Sequence, residues 1–249
     1  MLEVWIYTLI SVLIVSLLSF VGILTLSIKV DKLKKILLYM VSFSAGALFG
    51  DAFIHLLPEV VEETGFGLNI SFYLMFGIGF SFIIEKFVHW RHCHLPITKT
   101  HVHPFAIMNL VGDGVHNFID GLIIGASYLV SIPVGIATTL AVILHELPQE
   151  IGDFGVLLHG GFSKLKALFF NFITALTAIL GAVVSLLISS YVENITTFLI
   201  PFAAGTFIYI AGSDLIPELH KEVEVKKSLL QFIAIVLGVV IMLALLLLE

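Results

Sequence analysis

His116, Asn117 and Asp120, followed one apolar run later by His145, Glu146, Gln149 and Glu150, are the residues whose types and spacing could do chemistry. On an α-helix, residues four apart share a face. That rule pairs His116 with Asp120 and His145 with Gln149, while Glu146 stands four before Glu150. Two facing helices can therefore offer His116, Asp120, His145 and Glu146 as one set of two nitrogens and two oxygens. Asn117 and Gln149 extend the set sideways, and Asp120 and Glu146 are placed to bridge to a second ion. Neutral imidazole with carboxylate suits Zn²⁺, Fe²⁺ or Mn²⁺, and a cluster without Cys or Met does not suit Cu(I). Pro148 lacks an N–H, so the carbonyl of Leu144 loses its helical donor beside the cluster.

The segments that must position these groups are apolar runs at 104–130 and 132–158. At ~1.5 Å rise per residue, His116 and His145 stand roughly 18–20 Å from their helix ends. That is close to the middle of a hydrocarbon layer ~30 Å thick. Asp113, Asp120, Glu146, Glu150 and Asp153 lie on these two runs, and neither run contains a Lys or Arg. An ionised acid near the bilayer centre costs ~2.5–3.5 kcal/mol even on the mild insertion scale. Five of them call for a balancing cation, and a divalent metal ion is the simplest one.

The rest of the chain agrees with a membrane setting. Of its 249 residues 59% are hydrophobic and 12% charged, about half the charged fraction of a soluble domain, and the mean hydropathy is +1.12. Eight spans are expected, at about 4–28, 36–57, 67–88, 104–130, 132–158, 165–190, 195–217 and 228–248, forming a single all-α polytopic membrane domain over 1–249. All twelve Lys and Arg fall in alternate loops or at their edges: Lys29, Lys32, Lys34 and Lys35; Lys86, Arg91 and Lys99; Lys164 and Lys166; Lys221, Lys226 and Lys227. The positive-inside rule makes that side cytosolic and puts both termini outside. The opposite loops carry Glu59, Glu62, Glu63 and Glu193 and no basic residue. Span one begins with Glu3 and has no cleavage site after it, so it reads as a membrane helix and not as a signal peptide. The lone Cys93 excludes an intrachain disulfide, and the scattered basic residues give no nucleic-acid footprint.

Ala45-Gly46 with Pro58-Glu59 in span two recurs as Ala204-Gly205 with Pro217-Glu218 in span seven. Spans two and seven run in opposite directions. The recurrence is thus the mark of an inverted repeat, here spans one to three against six to eight with four and five between, a construction typical of secondary transporters. Along such a path Asp51 and His55 lead from an acidic outer mouth at Glu59, Glu62 and Glu63. Asp113, Glu150 and Asp153 step from the site toward the cytosol, where Asp214, Glu218 and His220 end span seven. Between spans three and four lies a tract of metal-binding composition, residues 89–103, with His89, His92, Cys93, His94, His101 and His103. Its position suits ion collection or sensing on the cytosolic side.

Two other classes of protein use part of this chemistry. An intramembrane metalloprotease needs His-Glu-x-x-His for zinc, and Gln149 breaks that motif. A metal sensor without transport would share the ligands, but the repeat and the polar residues on both sides of the site favour translocation.

The strings Gly112-Asp113-Gly114-Val115-His116-Asn117-Phe118-Ile119-Asp120-Gly121 and His145-Glu146-Leu147-Pro148-Gln149-Glu150-Ile151-Gly152-Asp153-Phe154 resemble the ZIP (Zrt/Irt-like) family of divalent metal transporters. So do Asp51-Ala52 through His55-Leu56-Leu57-Pro58 and Asp214 through Pro217-Glu218. The likeness is nearest to the subfamily reading His-Asn-Phe-x-Asp-Gly and His-Glu-x-Pro-His-Glu. It implies eight helices arranged 3+2+3, a binuclear site between helices four and five, alternating access with metal moving into the cytosol, and a homodimer. It also implies that helices one and six move alongside four and five while two, three, seven and eight form a steadier scaffold. Zn²⁺ is the expected substrate ion, with Fe²⁺, Mn²⁺ and Cd²⁺ as further candidates, and the cell membrane (plasma or inner) is the expected location. The departure is Gln149 in place of the subfamily's second His. An amide oxygen is a weaker ligand than imidazole for borderline metals, so the second ion position is expected to be weakened or altered in selectivity.

Overall fold

A computed structural model describes residues 2–25, 30–89, 104–192 and 195–248, and they form eight long helical spans without a strand. In chain order these are α1 (Leu2–Thr25), α2 (Val30–Gly50 continued through Asp51–Leu56 and Leu57–Thr64), α3 (Leu68–His89), α4 (Pro104–Val130), α5 (Ile132–His159), α6 (Lys164–Ser189), α7 (Thr196–Leu219) and α8 (Val225–Leu245). Seven are long and apolar enough to cross a membrane. The eighth, α4, has the length, but Asn109, Asp113, His116, Asn117 and Asp120 recur along it at helical spacing. Only a helix enclosed by others can carry that many polar groups through lipid.

The repeat is visible in the backbone. Asp51–Leu56 in α2 and Ile210–Leu215 in α7 each form a π-helical turn immediately before a proline pair, Leu57-Pro58 and Ile216-Pro217. Pro58 and Pro217 cannot donate to the carbonyls four residues back, and the widened turn lets the preceding residue bond five back instead. Leu57 N–H reaches Ala52 O, and Ile216 N–H reaches Ala211 O. The same correspondence governs packing. A Cβ on Gly46 of α2 would stand 2.0 Å from Ile235 O of α8, and one on Gly205 of α7 would stand 2.2 Å from Leu74 O of α3. Reciprocally, Gly238 of α8 meets Phe43 O at 2.3 Å and Gly77 of α3 meets Phe202 O at 2.2 Å. The α2–α8 and α7–α3 crossings are therefore one motif used twice, with backbones touching because neither side has a side chain in the way.

A third crossing joins α4 to α6, where Gly121 faces Ala178 O and Gly181 faces Phe118 O, each at 1.9 Å from the added Cβ. Hydroxyl and amide contacts tie α1 and α6 to this unit. Ser16 donates to Ala175 O at 2.8 Å, Ser11 meets Tyr128 Oη at 2.8 Å, and Thr177 donates to Gly114 O at 2.6 Å. Two groups of four helices result, α1/α4/α5/α6 and α2/α3/α7/α8, which meet mainly where α2 lies along α5 and α7 along α4. At the first of these seams Ser44 Oγ stands 2.5 Å from Leu144 O. This is the carbonyl that Pro148 deprives of a donor, and a hydroxyl from the neighbouring helix replaces the missing N–H.

Candidate metal centre

His116 and Asp120 project from α4, and His145 and Glu146 from α5, toward one point between the two helices. Ligand atoms of all four lie within 4.8 Å of one another. His145 Nε2 is 3.1 Å from Asp120 Oδ2 and 3.7 Å from Glu146 Oε1; His116 Nε2 is 3.6 Å and 3.3 Å from the same two oxygens; the two nitrogens are 3.2 Å apart. Metal–ligand bonds of ~2.0–2.1 Å to tetrahedral zinc imply ligand–ligand edges of roughly 3.3 Å. These five separations bracket that edge.

The surroundings fix the donors. His145 Nδ1 lies 3.1 Å from Ala141 O, and a carbonyl can only accept, so the ring proton is on Nδ1 and Nε2 offers its lone pair to the site. A second-sphere bond of this kind orients a metal-binding imidazole. Asp120 and Glu146 are fully buried, and none of their four carboxylate oxygens has a hydrogen-bond donor among the described residues. Electron-rich atoms gathered this closely repel one another, and a cation among them reverses the sign of the interaction. Asn117 donates its amide to Asp113 Oδ1 at 2.8 Å and Asp113 O at 3.1 Å, which leaves its buried Oδ1 as a further acceptor with no partner among the described residues.

A cavity of about 180 Å³ opens beside the cluster, walled by α3, α4, α5 and α7. His116, 21% exposed where the other three residues of the cluster are sealed, stands on its wall. From there it runs past Asp113, Gln149, Asp153 and Asn109 to Glu85, Tyr209 and Asp214, toward the end of the bundle that carries the lysines. Toward the opposite end the site is capped by packed apolar groups, among them Ile119, Ile123, Val142, Phe202 and Phe207. The Phe207 ring lies edge-on to His145 at 5.9 Å between centroids.

The model of the ZIP zinc transporter family matches residues 2–106 and 95–246. The chain belongs to this family. Among its relatives, zinc transporter zipt-7.1 of Caenorhabditis briggsae is 34% identical over 80% of this chain and 68% of its own. Zinc transporter ZIP13 of Pongo abelii is 31% identical over 97% of this chain and 78% of its own. Zinc transporter ZIP10 of Homo sapiens is 36% identical over 67% of this chain but only 23% of its own, being far longer.

In this ZIP chain the other expected residues fall into separate places. Asp113, Gln149, Asp153 and Asp214 share the cavity with His116. Glu150 is buried against α6, accepting a hydrogen bond from Asn171, and Asp113 likewise accepts one from Thr174. Asp51 is fully buried in the π-helical turn of α2, and His55 in the same turn bonds Met242 O through Nε2 at 2.9 Å, so neither stands on the cavity wall. Glu218 is exposed and pairs with Lys221, and His220 follows it at the open end of α7. His89 closes α3, while His92, Cys93, His94, His101 and His103 lie outside the described residues. Asn109, Tyr209, Asn171, Thr174 and Ser44 were not anticipated. At the inner end of α3 Glu85 accepts a hydrogen bond from the Tyr209 hydroxyl. A neutral polar residue on an apolar helix is the only trace such positions leave in a sequence.

Proposed function

We propose that this ZIP chain, as one polytopic membrane domain, moves divalent metal, zinc first, across the bilayer to the lysine-bearing side. The positive-inside rule makes that side the cytosol and leaves both termini extracytosolic. The observation that carries the reading is the buried convergence of His116, Asp120, His145 and Glu146 at metal-ligand spacing. These four hold the ion. Asn117, Asp120, Glu146 and Gln149 form the second position, where an amide oxygen at Gln149 leaves the weaker hold. Asp113, Asp153 and Asp214 pass the ion along the cavity, supported by Glu150 and delivered to Glu218 and His220, while Asp51 and His55 lie on the entry side. The cavity open at one end and packed at the other corresponds to one half of an alternating-access cycle, with α1, α4, α5 and α6 moving against α2, α3, α7 and α8. Fe²⁺, Mn²⁺ and Cd²⁺ are further substrates of the same donor set, the His tract of residues 89–103 gathers released ions, and the working unit is a homodimer in the cell membrane.

The deciding experiment is metal uptake into sealed, oriented proteoliposomes by the wild type and His116→Ala, with zinc, iron, manganese and cadmium each offered in turn. The wild type takes up zinc and the variant does not. Absence of uptake of all four ions by the wild type removes the proposal.

A further inference from the structure

The seam between α2, α5 and α8 contains a second opening, which shares no wall residue with the cavity beside the metal cluster. It is a groove of about 440 Å³ lined by Ile36, Tyr39 and Phe43 of α2, Leu144 and Leu147 of α5, and Leu237 of α8, with almost no polar surface. Its wall on α2 spans Ile36 to Phe43, roughly 10 Å at the helical rise, which is room for about half of a long acyl chain. The helix register extends this face toward the lysine-bearing end. Lys32 stands four residues before Ile36, and Lys35 four before Tyr39, so both lie on the groove face one turn beyond its end. On α8, which lines the groove with Ala234 and Leu237, Lys226 lies eleven residues before Leu237, about three helical turns along one face. On α5 the same face continues through Gly155, where an added Cβ would meet nothing within 4 Å, so the floor stays smooth as far as the basic end.

Two of the lysines at this end are already held by carboxylates. Lys227 is held by Glu222 at 3.1 Å and Glu224 at 2.8 Å, and Lys221 by Glu218. Lys32, Lys35 and Lys226 are exposed and pair with no carboxylate among the described residues. A dry slot in the hydrocarbon with unpaired ammonium groups at its headgroup end has the two-part chemistry of an acidic phospholipid. We propose that the α2/α5/α8 groove seats one acyl chain of an anionic phospholipid whose phosphate rests on Lys32, Lys35 and Lys226. Leu144 and Leu147 flank His145 and Glu146, so the seated lipid presses on the helix that carries half of the metal cluster.

The test is native mass spectrometry of the full chain released from nanodiscs of equimolar phosphatidylglycerol and phosphatidylcholine, which needs no metal. The wild type retains phosphatidylglycerol in preference. Lys32→Gln/Lys35→Gln lowers that retention by roughly fivefold for each lysine removed, the usual weight of a basic residue at an anionic leaflet. Ala234→Phe, which fills the groove and keeps every charge, lowers it as well. Lys164→Gln/Lys166→Gln, at the same end but away from the groove, leaves it unchanged. Equal retention of the two lipids by the wild type overturns the proposal, as does an equal loss in the two lysine pairs. Full retention by a correctly folded Ala234→Phe removes the acyl-chain seat.

Discussion

Ser44 shows how much a single hydroxyl can settle when it meets the right backbone group. Its Oγ is within reach of Met40 O in its own helix at 2.8 Å and of Leu144 O across the seam at 2.5 Å, and Leu144 O is the one that Pro148 leaves without an N–H. Ser44→Ala therefore strands a carbonyl adjacent to a metal-cluster histidine, a change worth about 1–3 kcal/mol for an unsatisfied buried acceptor. Ser42→Ala removes a hydroxyl bonded, among the described residues, only to Leu38 O within its own turn and costs about 0.5 kcal/mol or less, because that carbonyl keeps its helical donor. Thermal unfolding of the two variants in one detergent separates them; equal midpoints show that Ser44 does not serve the seam. Gln149 is the other residue whose chemistry can be altered in place. It stands half-buried on the cavity wall beside Asp113 and His116. Gln149→His supplies imidazole where the wild type has an amide, and the bound-zinc stoichiometry is expected to rise from near one to near two per chain at low zinc. Two ions of equal occupancy in the wild type would show that the amide is no handicap.

At the scale of helices, glycine positions divide sharply into two kinds. Gly121 and Gly181 sit where α4 crosses α6, and a methyl group on either would fall 1.9 Å from the partner's carbonyl oxygen. The backbone has to separate to admit it, and Gly121 immediately follows Asp120, so the separation displaces a member of the buried cluster. Gly121→Ala should cost about 1–3 kcal/mol or more by overpacking and weaken zinc binding together with stability. Gly152 and Gly155 on α5 have nothing within 4 Å, so alanine there should be neutral or stabilising by up to ~1 kcal/mol through helix propensity. Unfolding midpoints with zinc titrations test both expectations, and a well-tolerated Gly121→Ala would contradict the crossing as described. The same contrast explains what a sequence discloses here. His116, Asp120, His145 and Glu146 were legible because their relation is local: an i,i+4 pair on one helix, an adjacent pair on the next, and a cost of burying acids in lipid that demands a reason. The repeat was legible because Pro58 and Pro217 mark it, although the π-helical turns before them were not. Ser44, Asn171 and Thr174 were not legible as partners of Leu144 O, Glu150 and Asp113. Each pairing depends on which faces of distant helices meet, and on helices that are apolar all round the usual polar–apolar periodicity does not reveal those faces. The π-turn burying Asp51 and His55 away from the cavity wall was hidden for the same reason.

The whole molecule joins a sealed half to an open one, and both halves make demands on solution behaviour. Because four electron-rich groups converge in the folded chain and are dispersed in the unfolded one, zinc should stabilise the fold by about 2.7 kcal/mol at a hundred times its dissociation constant. His145→Ala should abolish that increment, and an unfolding midpoint insensitive to zinc in the wild type would speak against the centre. Access is the sharper test, since it reads the arrangement of the two four-helix groups directly. In a Cys93→Ser background, Ile84→Cys and Tyr209→Cys place a thiol on the cavity wall, whereas Ala203→Cys on α7 places one among fully buried core groups. A membrane-impermeant thiol reagent should label the first two from the side bearing Lys164 and Lys166 and leave the third unmodified. Zinc should slow labelling if its binding draws α4 and α5 toward α3 and α7. Labelling of the wall positions from the opposite side alone would invert the assigned orientation. Rapid modification of Ala203→Cys would show that the apolar packing around Phe202 and Phe207 does not seal the second half, and a chain open at both ends cannot move ions by alternating access.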